Sequence, residues 1–279
     1  MKNLKIAVHI THYSRKIYEE EKILNKVIKT YLLISKNIKI FIHTNQKFIS
    51  RNKRVSYIFH NIESEHPFYL SWKCRDLMTD QKNDYDIYIY SENDILFSKK
   101  NFLYWQKYKD VCISRKLNLG FCRVEKKSNK NFLTDIYYKL NQYIRLDKFF
   151  FLINNKNPFC AFWIYDSKEF INFVNSDVWK FNWKKNYQCF NDIRAMSAIG
   201  WHGINMNRYH YTVIPLSKRF KILNSSLIKH LRNNYAGTFH GPGSLNLSNI
   251  VDIHKLKKIN LFIDILKKKI YFFLKKKLF

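Results

Sequence analysis

The chain has 279 residues, 46% of them hydrophobic and 17% aromatic, which is enough to bury a sizeable core. Lysine and arginine total 50 against 21 aspartates and glutamates, so the formal net charge is +29. No apolar run approaches about 18 residues, and Met1-Lys2-Asn3 leads directly into a strand-like stretch, so we expect neither a transmembrane helix nor a secretory signal.

The first 124 residues alternate between strand and helix patterns. Short apolar runs predict strands, and apolar residues at helical spacing predict helices. In chain order the patterns predict a strand at Leu4–Ile10, a helix at Glu19–Ser35, strands at Ile38–His43 and Val55–His60, a helix at His66–Asp80, a strand at Asp86–Tyr90, a helix at Phe102–Tyr108 and a strand at Gly120–Val124. This alternation predicts an α/β fold with parallel strands.

The pattern after residue 125 is less regular. It predicts a strand at Asn157–Tyr165, helices at Ser167–Ser176 and Asn191–Ile199, a strand at Tyr211–Pro215 and a flexible glycine-containing loop at Leu231–Ser248. We therefore expect an α/β half followed by a looser half and a basic tail.

The tail, residues 253–279, is predicted to be a basic amphipathic helix. Its apolar stripe consists of Leu256, Ile259, Ile263, Leu266, Ile270 and Leu274, and most lysines fall on the other side. Such a helix is typical of a segment that lies on an anionic membrane. The alternative is a last helix that packs on the domain with solvated lysines. For the overall positive charge, the alternative explanation is a composition rich in Lys, Asn and Ile, with the excess charge on the solvated surface.

Cysteine and glycine usage exclude other classes of protein. The five cysteines form no CxxC pair, which indicates reduced thiols in a cytoplasmic protein rather than a zinc ribbon or a disulfide framework. The six glycines build neither the GxGxxG motif nor a P-loop, so we expect neither a dinucleotide-binding enzyme nor a P-loop NTPase.

The most informative motif is the acidic turn Glu92-Asn93-Asp94, which follows the predicted strand Asp86–Tyr90. A strand that delivers two carboxylates to its carboxyl end can hold a hard divalent cation, whose remaining ligands are water and substrate phosphate oxygens. The alternative is an ordinary acidic turn. Because the turn has apolar residues on both sides in a very basic chain, we favour a buried, functional turn.

The sequence resembles the GT-A class of nucleotide-sugar-dependent glycosyltransferases, and in particular uncharacterised bacterial transferases of surface-polysaccharide (lipopolysaccharide or capsule) loci. The resemblance rests on the DxD-type turn, here varied to Glu92-Asn93-Asp94, and on four stretches in order: His66–Trp72, Tyr90–Ile95, Phe121–Glu125 and His230–Ala236. It implies a GT-A-like, Rossmann-type mixed sheet flanked by helices. The catalytic domain would span 1–250, with a nucleotide-sugar half at 1–125 and an acceptor half at 126–250, and 251–279 would be the membrane-associating helix.

The same resemblance implies roles for individual residues. Glu92 and Asp94 would bind Mn²⁺ or Mg²⁺ together with a late histidine, for which we prefer His230 to His240. Thr11 would lie against the nucleoside and Arg15 or Lys16 near phosphate, while Arg232 would neutralise the diphosphate. The alternatives are a structural histidine and ordinary surface charge.

An inverting transferase also needs a carboxylate as general base. Asp192 begins a predicted helix in the region where inverting GT-A enzymes place it; alternatively it is an acid stabilised by the helix dipole. The sequence leaves inverting and retaining chemistry open.

The function predicted is thus transfer of a sugar from a nucleotide-diphosphate donor, UDP-linked by preference, to a glycan or a lipid-linked acceptor at the inner face of the cell membrane. A non-catalytic membrane-surface scaffold with a degenerate transferase fold is one alternative. A basic nucleic-acid-binding protein is another, although no nucleic-acid-binding motif occurs and we expect no nucleic-acid partner.

Overall fold

The computed structural model describes residues 3–15, 17–63, 65–154, 157–180, 193–200 and 211–266. The chain forms two compact units. The first comprises Met1–Leu103, Phe159–Met206 and Ile228–Asn234, and the second comprises Tyr104–Pro158, Asn207–Leu227 and Tyr235–Phe279. Neither unit is one continuous stretch of chain, and the functional division at residue 125 stays a prediction.

Both units are built from short strands and helices. The strands are β1 (Ile6–His12), β2 (Ile38–Thr44), β3 (Val55–Phe59), β4 (Ile87–Glu92), β5 (Ile95–Leu96), β6 (Leu117–Leu119), β7 (Cys122–Lys127), β8 (Lys130–Leu133), β9 (Gln142–Leu146), β10 (Phe149–Asn154), β11 (Phe162–Asp166), β12 (Tyr211–Leu216), β13 (Leu227–His230), β14 (Leu245–Asn246) and β15 (Lys257–Lys258). The helices are α1 (Tyr18–Leu32), α2 (Leu70–Asp80), α3 (Lys99–Ile113), α4 (Ser167–Val174) and α5 (Ile193–Ala198).

The first unit contains a mixed five-stranded sheet in the order β3-β2-β1-β4-β11. Strand β1 runs parallel to β2 and β4, and only β11 is antiparallel to its neighbour within this sheet. Every residue of β1 and β4 is buried, as expected for parallel strands covered on both faces. The predicted α/β class with a mixed, helix-flanked sheet is confirmed.

Helix α1 carries an acidic residue on its buried face. Its first turn contains three glutamates, which suits the positive end of the helix dipole. The buried stripe consists of Glu20, Leu24, Val27, Ile28 and Tyr31, so a carboxylate occupies a position where an apolar residue would be ordinary.

Three histidines form a hydrogen-bonded chain across the same sheet. Nδ1 of His9 lies 3.0 Å from Nε2 of His43, and Nδ1 of His43 lies 2.9 Å from Nε2 of His60. Each bond joins one donor and one acceptor, so the central imidazole fits when it is neutral. Burial lowers the pKa of His9 to about 3 and holds the pKa of His43 well below its ordinary value.

The second unit is largely antiparallel. One sheet has the order β15-β9-β10-β12-β6, and β7, β8 and β14 pair antiparallel. The strand predicted at Gly120–Val124 exists as β7, but the expectation that it is parallel is wrong. The reason is the hairpin turn at Ser128 and Asn129, both with positive φ, which sends the chain straight back as β8.

The loop predicted to be flexible is anchored at its beginning. Glu125 is 1% exposed, and its Oε2 accepts hydrogen bonds from the backbone N–H groups of Tyr235 and Ala236, each at 2.6 Å. Hydrogen bonds to an ionised acceptor are about twice as strong as neutral ones, so this carboxylate fixes the loop.

The continuous helix predicted for 253–279 is wrong at its beginning. Ile253–Lys255 is a single 3₁₀ turn, and β15 then pairs parallel to β9; within the described residues 253–266, the α-helical segment is 261–266. The N–H groups of Lys257 and Ile259 donate to carbonyls of Asn141 and Tyr143, which replaces helical hydrogen bonding with sheet hydrogen bonding. Residues 267–279 lie outside the described part of the chain.

Across the residues that the structure describes, no helix combines the length and apolarity needed to cross a membrane.

Candidate active site

The order of the strands defines where a ligand would bind in the first unit. From β1 the chain moves outward to β2 and β3 and then returns to β4 on the other side of β1. In open α/β sheets, the crevice at the carboxyl ends of two strands on either side of such a reversal is the usual ligand site. Here β1 ends at His12 and β4 ends at Glu92, so the acidic turn Glu92-Asn93-Asp94 begins in this place.

Asp94 is buried and lies at the centre of a polar cluster. Nε of Arg232 donates to its Oδ2 at 2.8 Å, and Nε2 of His230 lies 3.3 Å from the same oxygen. The backbone adds to this arrangement, because β13 pairs antiparallel with β5 and Leu231 N–H donates to the Asp94 carbonyl at 2.9 Å. A short strand pair directly after the turn therefore brings residues 138 positions apart into contact.

Glu20 joins two arginines in the same cluster. Its Oε1 lies 2.5 Å from Nη2 of Arg15 and 3.3 Å from Nη1 of Arg232. Burial opposes ionisation of Glu20, but hydrogen bonds and charge from the two arginines outweigh it and hold its pKa below the ordinary value. Arg232 thus bridges Glu20 and Asp94.

His12 and Asn93 form a hydrogen-bonded pair at the acidic turn. Nδ2 of Asn93 donates to Nδ1 of His12 at 2.7 Å, and His12 is 1% exposed. Burial lowers the pKa of His12 to about 4, so its ring is neutral at pH 7 and carries its proton on Nε2. Within the described residues this Nε2 has no hydrogen-bond partner, which leaves a buried N–H donor beside the acidic turn.

Glu92, the other carboxylate of the acidic turn, contacts Arg194. Its Oε1 lies 3.5 Å from Nε of Arg194, which belongs to α5. The Arg194 guanidinium also lies over the ring of Phe68, 4.8 Å from its centroid. Stacking on an aromatic face and pairing with a carboxylate both hold a guanidinium in a defined place.

The structure brings together four of the predicted site residues: Asp94, His230, Arg232 and, through Glu20, Arg15. The hydroxyl of Thr11 lies 3.2 Å from the Tyr90 hydroxyl inside the core, and the contact of Thr11 with a nucleoside stays a prediction. His240, the alternative to His230, is exposed. Lys16 and Asp192 lie outside the described residues.

Glu20, His12 and Arg194 were not predicted as neighbours of the site. For Glu20 a signal existed, since a carboxylate that shares the helical spacing of Leu24, Val27 and Tyr31 faces the core and needs a partner there. Nothing in the sequence indicates that Arg194 contacts Glu92, because 102 residues separate the two positions.

The donor atoms at the turn suit a divalent cation that shares its ligands with a substrate. No group of three or more His, Cys, Asp or Glu side chains among the described residues can hold a metal ion by itself. Asp94 and His230 nevertheless present an oxygen and a nitrogen next to each other, and Mg²⁺-type sites often use one or two carboxylates plus substrate phosphates. The residues therefore fit a substrate-completed metal site and not a preformed cage.

Comparisons with known proteins found distant structural similarities. No protein-family model and no curated protein matches the sequence. The structure is similar to the 4-diphosphocytidyl-2C-methyl-D-erythritol synthase of Anaerococcus prevotii, with 12% identity, a TM-score of 0.36, and coverage of 71% of this chain and 81% of that chain. It is also similar to the bifunctional IspDF of Campylobacter jejuni, with 13% identity, a TM-score of 0.33, and coverage of 70% of this chain and 47% of that longer chain.

Replacing Glu20 with glutamine tests whether this buried acid holds the two arginines. We expect the free energy of unfolding to fall by about 1–2 kcal/mol, because Arg15 and Arg232 would then donate to a neutral amide oxygen instead of a carboxylate. Urea unfolding at pH 7 measures this change. Glu19→Gln is the matched control: Glu19 is 68% exposed with Lys22 at 3.9 Å, and we expect a change within about 0.5 kcal/mol. Equal effects of the two substitutions would contradict a special role for Glu20.

Proposed function

We propose that the protein is a metal-dependent glycosyltransferase that binds a nucleotide-diphosphate sugar at the carboxyl ends of β1 and β4. The observation that carries this proposal is the convergence of His230 and Arg232 on Asp94 of the acidic turn, with Arg15 joined to them through Glu20. The broader class, a transferase that binds a nucleotide, rests on the same cluster.

The charges of the cluster suit a diphosphate that arrives with a cation. The guanidinium groups of Arg15, Arg194 and Arg232 face the carboxylates of Glu20, Glu92 and Asp94, so these formal charges cancel. Guanidinium groups bind phosphate oxygens in a bidentate manner, but an additional positive charge is needed to offset a diphosphate beside a cluster whose formal charges already cancel. A divalent cation supplies that charge.

In this proposal Asp94, Glu92 and His230 would hold Mn²⁺ or Mg²⁺. The cation would act as a Lewis acid that offsets the negative charge developing on the departing diphosphate. Arg232 and Arg15 would bind the diphosphate oxygens, and the neutral His12 would offer its Nε2–H as a further donor. Positively charged and hydrogen-bond-donating groups held in place beforehand would stabilise the negative charge that develops on the leaving group.

The acceptor chemistry is proposed from the sequence. We propose Asp192 as the general base of an inverting reaction, and the contact of its near neighbour Arg194 with Glu92 supports this role. The acceptor would be a glycan or a lipid-linked saccharide of a bacterial surface polysaccharide. The basic, apolar sequence 253–279 supports a peripheral position on the inner face of the cell membrane.

A thermal-shift screen tests the donor site without knowledge of the acceptor. The protein is heated with UDP-, GDP- and CMP-linked sugars, each with and without Mn²⁺. A ligand present at 100 times its dissociation constant stabilises the folded state by about 2.7 kcal/mol, which is easily measured as a rise in Tm. We expect a rise with one nucleotide that requires the metal.

The Asp94→Asn protein is the matched control for this screen, because it keeps the shape of the side chain and loses its charge. We expect no metal-dependent rise in this variant. If the wild-type protein, shown to be folded by circular dichroism, responds to no donor, the proposal fails and a non-catalytic scaffold with a degenerate site takes its place. Salt-sensitive RNA binding with no donor response would favour the nucleic-acid alternative.

A further inference from the structure

The second unit contains a groove of about 600 Å³ that no part of the proposed transfer reaction uses. It lies among the residues that follow α3, strand β9 and the chain from Lys258 to Ile265. One set of lining side chains is cationic, namely Arg115, Arg145 and Lys258, and the other is apolar, including Ile144, Leu146, Leu261 and Phe262. The groove therefore has a cationic side next to an apolar side.

The cations of the groove are not neutralised by acids. The ten residues that line it include no aspartate or glutamate. In the described part of the chain, no ion pair involves Arg115, Arg145 or Lys258, and all three side chains are exposed; Arg145 donates only to the backbone carbonyl of Asp147, at 3.1 Å. Three unneutralised cations around one concave site create a positive potential that attracts an anion.

The apolar side continues out of the groove onto an exposed face. Phe262, Ile263 and Leu266 lie on the helical segment 261–266 and are 76%, 48% and 47% exposed. The sequence that follows, 267–279, consists of six lysines and seven apolar or aromatic residues. Exposed phenylalanine and leucine next to lysine and arginine are typical of segments that insert at the interface of an anionic bilayer.

We propose that this groove binds the phosphate headgroup of an anionic lipid within a bilayer, with the first carbons of the lipid chain against Phe262 and Leu261. A free phosphate would use the cations but not the apolar side, so the two sides together favour a lipid. Arg115 and Arg145, which lie far from the tail in sequence, would bind the phosphate together with Lys258. It stands or falls separately from the donor site, because lipid binding needs no nucleotide sugar.

Vesicle sedimentation with the full-length protein tests the proposal. The protein is mixed with vesicles of phosphatidylcholine alone or of phosphatidylcholine with phosphatidylglycerol, and the bound fraction gives the partition coefficient. We expect binding only when phosphatidylglycerol is present. Each cation near an anionic surface contributes roughly a fivefold change in partition, so the double substitution Arg115→Gln/Arg145→Gln should weaken it about 25-fold.

The matched control is Lys218→Gln/Arg219→Gln, which removes the same charge from an exposed turn of the same unit that does not line the groove. We expect it to weaken partition by less than about threefold. Phe262→Ser should weaken partition without any change in charge. Circular dichroism and Tm confirm that every variant is folded.

Three outcomes would overturn the proposal. Equal losses in the two double variants would mean that diffuse charge, and not the groove, attracts the membrane. If the Arg115→Gln/Arg145→Gln protein binds the vesicles as well as the wild-type protein does, the lysines of 267–279 and not the groove attract the membrane. Displacement of bound protein by inorganic phosphate at unchanged ionic strength would mean that the site recognises phosphate from water and not a lipid.

Discussion

Asp94→Asn is expected to lower the rate of sugar transfer by about 1,000-fold. In the proposed reaction, this carboxylate holds a cation worth several kcal/mol of transition-state stabilisation, and each 1.36 kcal/mol is a factor of ten in rate. The carboxylate also fixes Arg232 and His230, so its loss affects both the cation and the diphosphate-binding arginine. The readout is release of nucleoside diphosphate from the donor that raises Tm in the thermal-shift screen.

A buried acid can be essential for the fold instead of for the chemistry. Substitution of Asp135 serves as the control that distinguishes these two roles. Asp135 forms a similar buried pair with Arg123, at 2.6 and 2.8 Å, in the second unit. Asp135→Asn should therefore lower stability about as much as Asp94→Asn does and leave the rate per folded molecule within about threefold of wild type. A rate loss of the same size in both variants would show that Asp94 acts through stability alone.

Mild acid is expected to destabilise the first unit strongly. His9, His12 and His43 are at most 1% exposed, and burial lowers the pKa of His9 to about 3 and of His12 to about 4, with the pKa of His43 also well below 6.5. In the unfolded chain these histidines take up protons near pH 6.5, while in the folded chain they stay neutral. The unfolded state therefore binds more protons, and stability is lost as pH falls below 6.5.

The expected size of this effect is large. Each of the three histidines contributes about 1.4 kcal/mol per pH unit below 6.5, so together they remove about 6 kcal/mol between pH 7.5 and pH 5. That is comparable with the whole stability of an ordinary domain. Charged neighbours do not change the direction of the pKa shift of His12. Burial and Arg232 lower this pKa by more than Glu20 raises it.

Urea unfolding at a series of pH values and constant ionic strength measures the effect. We expect the free energy of unfolding to be flat above pH 7 and to fall with a slope that approaches three protons near pH 5.5. His240→Gln, which alters an exposed histidine, should leave that slope unchanged. His43→Asn should reduce it by about one proton. A wild-type slope below one proton would mean that the three histidines are protonated in the folded protein.

Much of the first unit was predictable because its signals are local. Buried parallel strands are continuous apolar runs, and an acidic first turn followed by apolar residues at helical spacing marks α1. The acidic turn Glu92-Asn93-Asp94 was also recognisable in isolation. The second unit was predicted less well, because antiparallel strands such as β8, β9 and β10 depend on turns with positive φ at Ser128, Asn129 and Asp147, none of which is a glycine.

The sequence alone determined the α/β class, the acidic turn and the residue types that surround it. Only the tertiary structure decided that Glu20 and Arg15 join Arg232 and His230 at Asp94, and that Arg115 and Arg145 share a groove with Phe262. It also decided that 257–258 is a strand, although the local pattern favours a helix. The physical reason is the same in each case: propensity and periodicity act over a few neighbouring residues, whereas charge pairs and strand pairs form between residues that the folded chain brings together.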